Sequence, residues 1–241
     1  LTFTPAGKTV LALADSIMPQ VTRTKANLKR LAHGQAGRLR LASECHSCFD
    51  WLMPILNHYR REWSDVELDF ATGFEPEPHH LLQEGDIDLL ITTSNLPIEG
   101  ISYQPLFEYE SRLVLSPTHD LAEQPFIHAQ DLVAETLIAY PVEAKRLDII
   151  AHFMTPEEVS FKAIRTTELT AMLIQLVASE RGVAALPDWV VSEYEKKGWV
   201  VSRPLGKGVY CQLYAATRTA SQDIAYMQGF ASLLEGIVKP V

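Results

Sequence analysis

The sequence predicts an α/β protein of two lobes behind a long N-terminal helix. Three features carry that expectation. Residues 10–31 repeat apolar side chains at alternating steps of four and three, the spacing that keeps one helical seam turned toward a partner. From Arg38 onward, short apolar runs alternate with helical patterns in two successive sets, the rhythm of a mostly parallel sheet with right-handed crossovers. The 241 residues are 47% hydrophobic and 21% charged, which suits two cores of roughly 100 residues each better than one.

The helix comes first. Thr4 is placed to cap it, Pro5 takes the first helical position, where a missing N–H costs nothing, and Gly34 ends it. Its seam runs through Val10, Ala14, Ile17, Val21, Thr24, Leu28 and Leu31. A helix of about 29 residues would span roughly 43 Å. The stripe is narrower than a core-facing one, so Val10, Ile17, Val21, Leu28 and Leu31 are expected to mediate dimerisation. Pro19 interrupts the seam and Thr24 weakens it, which leaves an amphipathic helix lying on its own domain as the alternative.

The first α/β set comprises strands at 39–43, 66–72 and 88–93, with helices near 51–63 and 79–84. Strands at 101–107 and 111–115 follow, and the Ser116-Pro117-Thr118-His119 turn leads into the second set. There, strands at 137–140, 159–165 and 183–186 alternate with helices near 147–154, 168–179 and 189–196. Leu169, Met172, Leu173, Leu176 and Val177 give the 168–179 helix an apolar stripe that should cover a sheet, with Gly182 as its stop. A strand at 209–216 and a helix at 222–238 close the chain, and two crossings between lobes would return them to the first. The expected division is a linker helix at 1–34, subdomain I at 38–115 plus 213–241, and subdomain II at 116–212.

Composition narrows the function. A net charge of −9 is the wrong sign for a surface that grips phosphates, so this stretch is not itself a DNA clamp. No apolar run approaches the roughly 20 residues of a membrane span, and no charged n-region precedes an apolar h-region. Three cysteines, Cys45, Cys48 and Cys211, are an odd count that reads as reduced thiols and a cytoplasmic protein. A chain opening on Leu1 is expected to lack the first residues of its gene product. No Gly-rich phosphate loop, G-x-S-x-G or H-E-x-x-H is present, so an enzyme is not expected.

The segments Gly37-Arg38-Leu39-Arg40-Leu41-Ala42, Leu52-Met53-Pro54-Ile55-Leu56, Leu82-Gln83-Glu84-Gly85-Asp86-Ile87-Asp88-Leu89, the 113–121 stretch and Gly182-Val183-Ala184-Ala185-Leu186-Pro187 follow in this order along the chain. Together they resemble the regulatory domain of LysR-type transcription regulators. Residues 1–7 resemble the family's junction between its winged helix-turn-helix and its linker helix. The resemblance implies two Rossmann-like subdomains with an interlobe effector cleft, as in type 2 periplasmic binding proteins, behind a linker helix. It also implies a homodimer or homotetramer that reaches promoter DNA only through an N-terminal winged helix-turn-helix absent from this sequence, with RNA polymerase as a further candidate partner. Residues 44–48, Tyr140-Pro141-Val142 with Arg146-Leu147-Asp148, and residues 184–191 are similar to the family's activators of methionine biosynthesis. That similarity implies homocysteine as the co-inducer and no other cofactor.

Ligands of open α/β sheets sit at the carboxyl ends of strands, beside helix N-termini. Residues 44–49 are the first such place: Ser47 is a plausible cap and anion holder, with Asp50 as the competing cap. Thr93 and Ser94 end the third strand at the same rim. Across the cleft, Tyr140, Arg146 and Asp148 follow a strand, and Thr166 or Thr167 would cap the 168–179 helix. Homocysteine carries a carboxylate, an ammonium and a thiol. Arg146 and the helix start at Ser47 would take the carboxylate, Asp148 the ammonium, Thr93 and Ser94 the orientation, and His46, Cys48 and Phe74 the sulfur end, with Thr167 as an alternative anion site. Cys45-His46-Ser47-Cys48 also has CxxC form, but a zinc site there would need a fourth ligand for which His79 and His80 are the candidates, and no metal is assigned. The competing functions are a solute-binding protein of an amino-acid transport system, which would lack the N-terminal seam, and an α/β enzyme.

Overall fold

The computed structural model describes residues 4–44, 48–70, 78–235 and 237. Helix α1 (Pro5–Ala32) begins where its cap predicts: the Thr4 hydroxyl accepts from the Gly7 N–H at 3.1 Å. Pro19 lies inside it without ending it. Its seam faces solvent in the single chain, Val10, Ile17, Val21, Leu28 and Leu31 all being exposed. The helix joins the α/β body at its C-terminal end. There Arg30 pairs with Asp65, and the Gly34 carbonyl accepts from the Tyr226 N–H at 3.1 Å.

The body follows as β1 (Gly37–Ser43), α2 (Phe49–Glu62), β2 (Val66–Phe70), α3 (Pro78–Glu84), β3 (Leu89–Thr92), β4 (Ile101–Leu115), β5 (Thr136–Ala139), β6 (Ala163–Thr166), α4 (Thr170–Ala178), β7 (Ala184–Pro187), α5 (Asp188–Lys196), β8 (Val201–Arg218) and α6 (Ala225–Glu235). Among the described residues six strands form one sheet in the order β2-β1-β3-β8-β4-β7, while β5 and β6 pair separately. A bridge between Leu137 and Val183 ties that smaller sheet to the entry of β7.

The sheet is mixed, not mostly parallel. β1 is parallel to β2 and β3, but β3–β8, β8–β4 and β4–β7 are antiparallel. The cause is the length of β4 and β8, 15 and 18 residues. Residues 101–107 and 111–115 belong to one strand whose pairing shifts register between Pro105 and Glu108 and again between Ser111 and Arg112. Proline lacks an N–H for the ladder, and such irregularities bend a strand without ending it. One end of β4 pairs with Tyr214 to Arg218 next to β3, and the other pairs with Val201 to Pro204 next to β7. Both halves of the body are therefore built on the same two strands.

Apolar side chains close each half. Leu39, Leu41, Leu89 and Ile91 pack with Leu52, Leu56, Tyr59 and Phe230, and Leu113, Leu137, Leu173, Val177, Leu186 and Val191 fill the other side, all nearly inaccessible. Buried Asp88 is held by Arg40 and Arg218, at 3.2 and 2.7 Å. Burial works to raise its pKa, but the hydrogen bonds from Arg40 and Arg218 outweigh that and hold it below the ordinary carboxylate value.

Two local expectations fail at α4. It starts at Thr170, with Leu169 as a cap that offers no side-chain bond, so neither Thr166 nor Thr167 caps it. The Thr167 N–H instead donates to the Ala139 carbonyl at 3.0 Å, which continues the β5–β6 pairing and keeps the chain extended. The buried face is Leu173, Ile174 and Val177, while Leu169 and Met172 point outward. The 147–154 segment is a π-helical turn, Ile150–Met154.

Candidate functional site

The carboxyl ends of β1, β3 and β5 converge on a cleft of about 910 Å³, its open mouth included. Glu44 follows β1, and its N–H donates to the Ile91 carbonyl at 2.9 Å, which fixes it against β3. Thr93 and Ser94 follow β3, and the Ser94 N–H donates to Thr92 Oγ1 at 2.9 Å. Opposite, the chain leaving β5 supplies Tyr140 and Val142, then a 3-10 turn, Ala144–Arg146, that delivers Arg146, Leu147 and Asp148. Tyr109 and Ser111 of β4, Leu173 of α4 and Ala185 of β7 complete the walls.

An ion pair spans the site. Arg146 donates to Glu44 Oε1 at 2.7 Å, with the two side chains 24% and 13% exposed, and Thr92 Oγ1 donates to the other Glu44 oxygen. Asp148 accepts from the Tyr109 hydroxyl at 2.7 Å. Burial raises the Tyr109 pKa well above the ordinary phenol value, and the Asp148 charge adds to it. Burial, again with Asp148, pushes the Cys211 thiol up to about 12. The Tyr140 hydroxyl shares a hydrogen bond with Thr170 at 2.7 Å.

Of the residues singled out from sequence, Thr93, Ser94, Tyr140, Arg146 and Asp148 line this cleft together. Thr167 does not line it, its backbone being used by Ala139. Cys48 is not among the lining residues either. It is buried at the start of α2, where it takes the N-cap position without a side-chain cap bond, a position expected for Ser47 or Asp50. Cys48 is also disulfide-bonded, with its partner outside the described residues, which corrects the expectation of reduced thiols throughout; Cys211 is free and buried. Whether two cysteines bond depends on their local approach, which an odd count does not report. His46, Ser47 and Phe74 lie outside the described residues.

Sequence reasoning missed Glu44, Tyr109 and Ser111 as lining residues. Glu44 had a signal, its place directly after β1. Tyr109 had none, because it sits in the part of β4 that reads as a break, and Ser111, which opens the strand expected at 111–115, carried no mark of a cleft residue.

A cleft between two α/β halves, lined by strand ends and crossed by opposite charges, defines a small-molecule-sensing module. The chain belongs to the LysR family of transcription regulators: residues 32–237 match the LysR substrate binding domain. It is 44% identical over 230 residues to the HTH-type transcriptional regulator MetR of Escherichia coli, covering 95% of this chain and 71% of the relative, and 41% identical to MetR of Haemophilus influenzae, covering 95% and 74%. The regulatory domain of MetR from N. meningitidis superposes with a TM-score of 0.77 at 44% identity, covering 83% of this chain and 92% of that one. A full-length OxyR from Pseudomonas aeruginosa, at 17% identity and a TM-score of 0.70, covers 97% of this chain and 81% of its own, and shares the fold alone. These relatives are named as transcription regulators, and a domain of this family implies a small-molecule co-inducer. Among the described residues no helix is long and apolar enough to cross a membrane.

Proposed function

We propose that this chain is the sensing and dimerising module of a cytoplasmic regulator of methionine biosynthesis, and that its cleft binds homocysteine. The two subdomains would divide at the end of β4, near residue 115, and within β8, near residue 213, and α1 would pair with α1 of a second copy through Val10, Ile17, Val21, Leu28 and Leu31. Promoter DNA would be reached through a winged helix-turn-helix preceding residue 1, with RNA polymerase as a further partner.

The observation that carries this reading is the Glu44–Arg146 pair, which sets a carboxylate and a guanidinium side by side in the cleft. An α-amino acid presents the complementary pair of charges at similar spacing. The effector carboxylate takes the Arg146 fork in place of Glu44. The ammonium goes to the freed Glu44 rather than to Asp148, which is already engaged by Tyr109. Thr93 and Ser94 orient the ligand and Tyr140 flanks it, with His46, Ser47 and Phe74 assigned to the sulfur end; Cys48 and Thr167 do not line the cleft and take no part. A ligand that bridges the two halves favours one lobe angle by its difference in affinity between the states, and α1 carries that change toward DNA.

Calorimetry of the purified chain against homocysteine, methionine, cysteine and 4-mercaptobutyrate tests the proposal. Homocysteine should bind tightest, and the analogue lacking the ammonium should bind at least tenfold more weakly. The reading fails if none of the amino acids binds.

A further inference from the structure

Behind the cleft wall, three side chains of different chemistry meet. Asp148, His152 and Cys211 each offer one ligand atom, and all three atoms lie within 4.8 Å of one another. We propose that they form a binding site for a divalent first-row transition metal of the zinc class.

The backbone explains why they meet. Asp148 and His152 are four residues apart around the Ile150–Met154 turn, a spacing that sets two side chains on one face, as metal-binding helices do. Cys211 lies directly opposite Tyr109 in the β4–β8 pairing, and Tyr109 in turn donates to Asp148 at 2.7 Å. The sheet thus fixes the thiol relative to the carboxylate. The Tyr109 bond engages Asp148 Oδ2, the kind of outer support that orients metal-bound carboxylates.

Charge also points to a cation. Asp148 is half-buried, and its contacts are the Tyr109 hydroxyl and the Cys211 thiol; among the described residues no lysine or arginine pairs with it. A carboxylate beside a thiol, with no described basic side chain paired to it, is a donor set that a divalent ion complements. A sulfur, a nitrogen and an oxygen donor suit zinc, cobalt or nickel and are poorly matched to magnesium or calcium, which prefer all-oxygen shells. Tetrahedral ligands at 2.0–2.3 Å from zinc sit about 3.3–3.7 Å apart, so closing the triangle takes roughly 1 Å of side-chain movement, available to exposed His152. Water fills the fourth position. Binding would displace the thiol proton, since the thiolate is the ligand. Because Asp148 also lines the cleft, metal occupancy would reshape its wall.

Cobalt(II) titration of the chelator-stripped chain tests this, because a thiolate ligand gives an intense near-ultraviolet charge-transfer band. The expected result is that band at one equivalent, its loss in Cys211→Ser, and its persistence in a Cys45→Ser, Cys48→Ser chain. His152→Ala, at an exposed position that should not disturb folding, should weaken zinc in competition with a chromophoric chelator by more than the roughly 10- to 100-fold that an outer partner contributes. A missing band in the parent chain overturns the proposal, as does a band lost with Cys45 and Cys48 but retained in Cys211→Ser, or unchanged zinc affinity in His152→Ala. Homocysteine binding does not enter any of these outcomes.

Discussion

Arg146 and Glu44, 102 positions apart in sequence, are joined by a 2.7 Å ion pair that crosses the candidate cleft. Each is the partner that an amino-acid ligand would replace for the other. The pair is therefore both an internal tie between the halves and a mould of the ligand it would admit.

Truncating either side of that pair should separate the two charges of the ligand. Arg146→Ala should weaken homocysteine by about 1.5–3 kcal/mol, roughly 10- to 150-fold in Kd, since a charged hydrogen bond is lost in a half-buried site. Lys145→Ala is the control: Lys145 is exposed, pairs with neighbouring Glu143 among the described residues and should be nearly silent. Glu44→Gln should weaken homocysteine but not 4-mercaptobutyrate, whose carboxylate no longer has to displace Glu44 from Arg146 and should bind somewhat tighter. Equal homocysteine affinity in folded Arg146→Ala and parent chains, read by calorimetry, would place the anion site elsewhere.

Acid should unfold the molecule partly through Asp88. Its folded pKa lies below the unfolded value of about 3.9, so its contribution is fully present above that value and is lost as pH falls through the lower, folded one. Asp88→Asn should be less stable at neutral pH, leaving Arg40 and Arg218 without their shared anion, and should lose less stability between about pH 4 and pH 2 than the parent. Urea unfolding across that range measures it; parallel curves for the two chains would remove Asp88 as a cause.

Removing α1 should abolish self-association through the seam. Val10, Ile17, Val21, Leu28 and Leu31 are all exposed in the single chain, and such a stripe is unfavourable in water. Sedimentation of a chain lacking residues 1–32 should report a smaller species. An unchanged assembly would assign it to contacts between the α/β bodies.

Gly182 should not tolerate a side chain. Its φ is +149°, and a Cβ there would collide with the Thr136 carbonyl oxygen, a backbone atom fixed by the bridge between β5 and the entry of β7. Gly182→Ala should cost about 1–3 kcal/mol in denaturant unfolding. Gly198→Ala, where a Cβ meets nothing within 4 Å, isolates the backbone contribution of a positive φ.

The sequence by itself determined what is decided within a few residues. Thr4 and Pro5 start α1, the four-and-three repeat sets its seam, and the alternation of apolar runs orders strands and helices nearly as observed. It also pointed to Thr93, Ser94, Tyr140, Arg146 and Asp148, because strand ends can be recognised locally and α/β sites gather there. Tertiary structure decided what depends on chain reversal. That β4 runs unbroken through Pro105 and pairs antiparallel with β8 follows from contacts roughly a hundred residues away, which no local periodicity reports. The same long-range pairing sets Cys211 opposite Tyr109 and beside Asp148, and the approach of the two halves brings Glu44 to Arg146. Caps and propensities act over one or two helical turns, whereas the partner of a charge in a cleft is fixed only when both halves have folded on their shared strands.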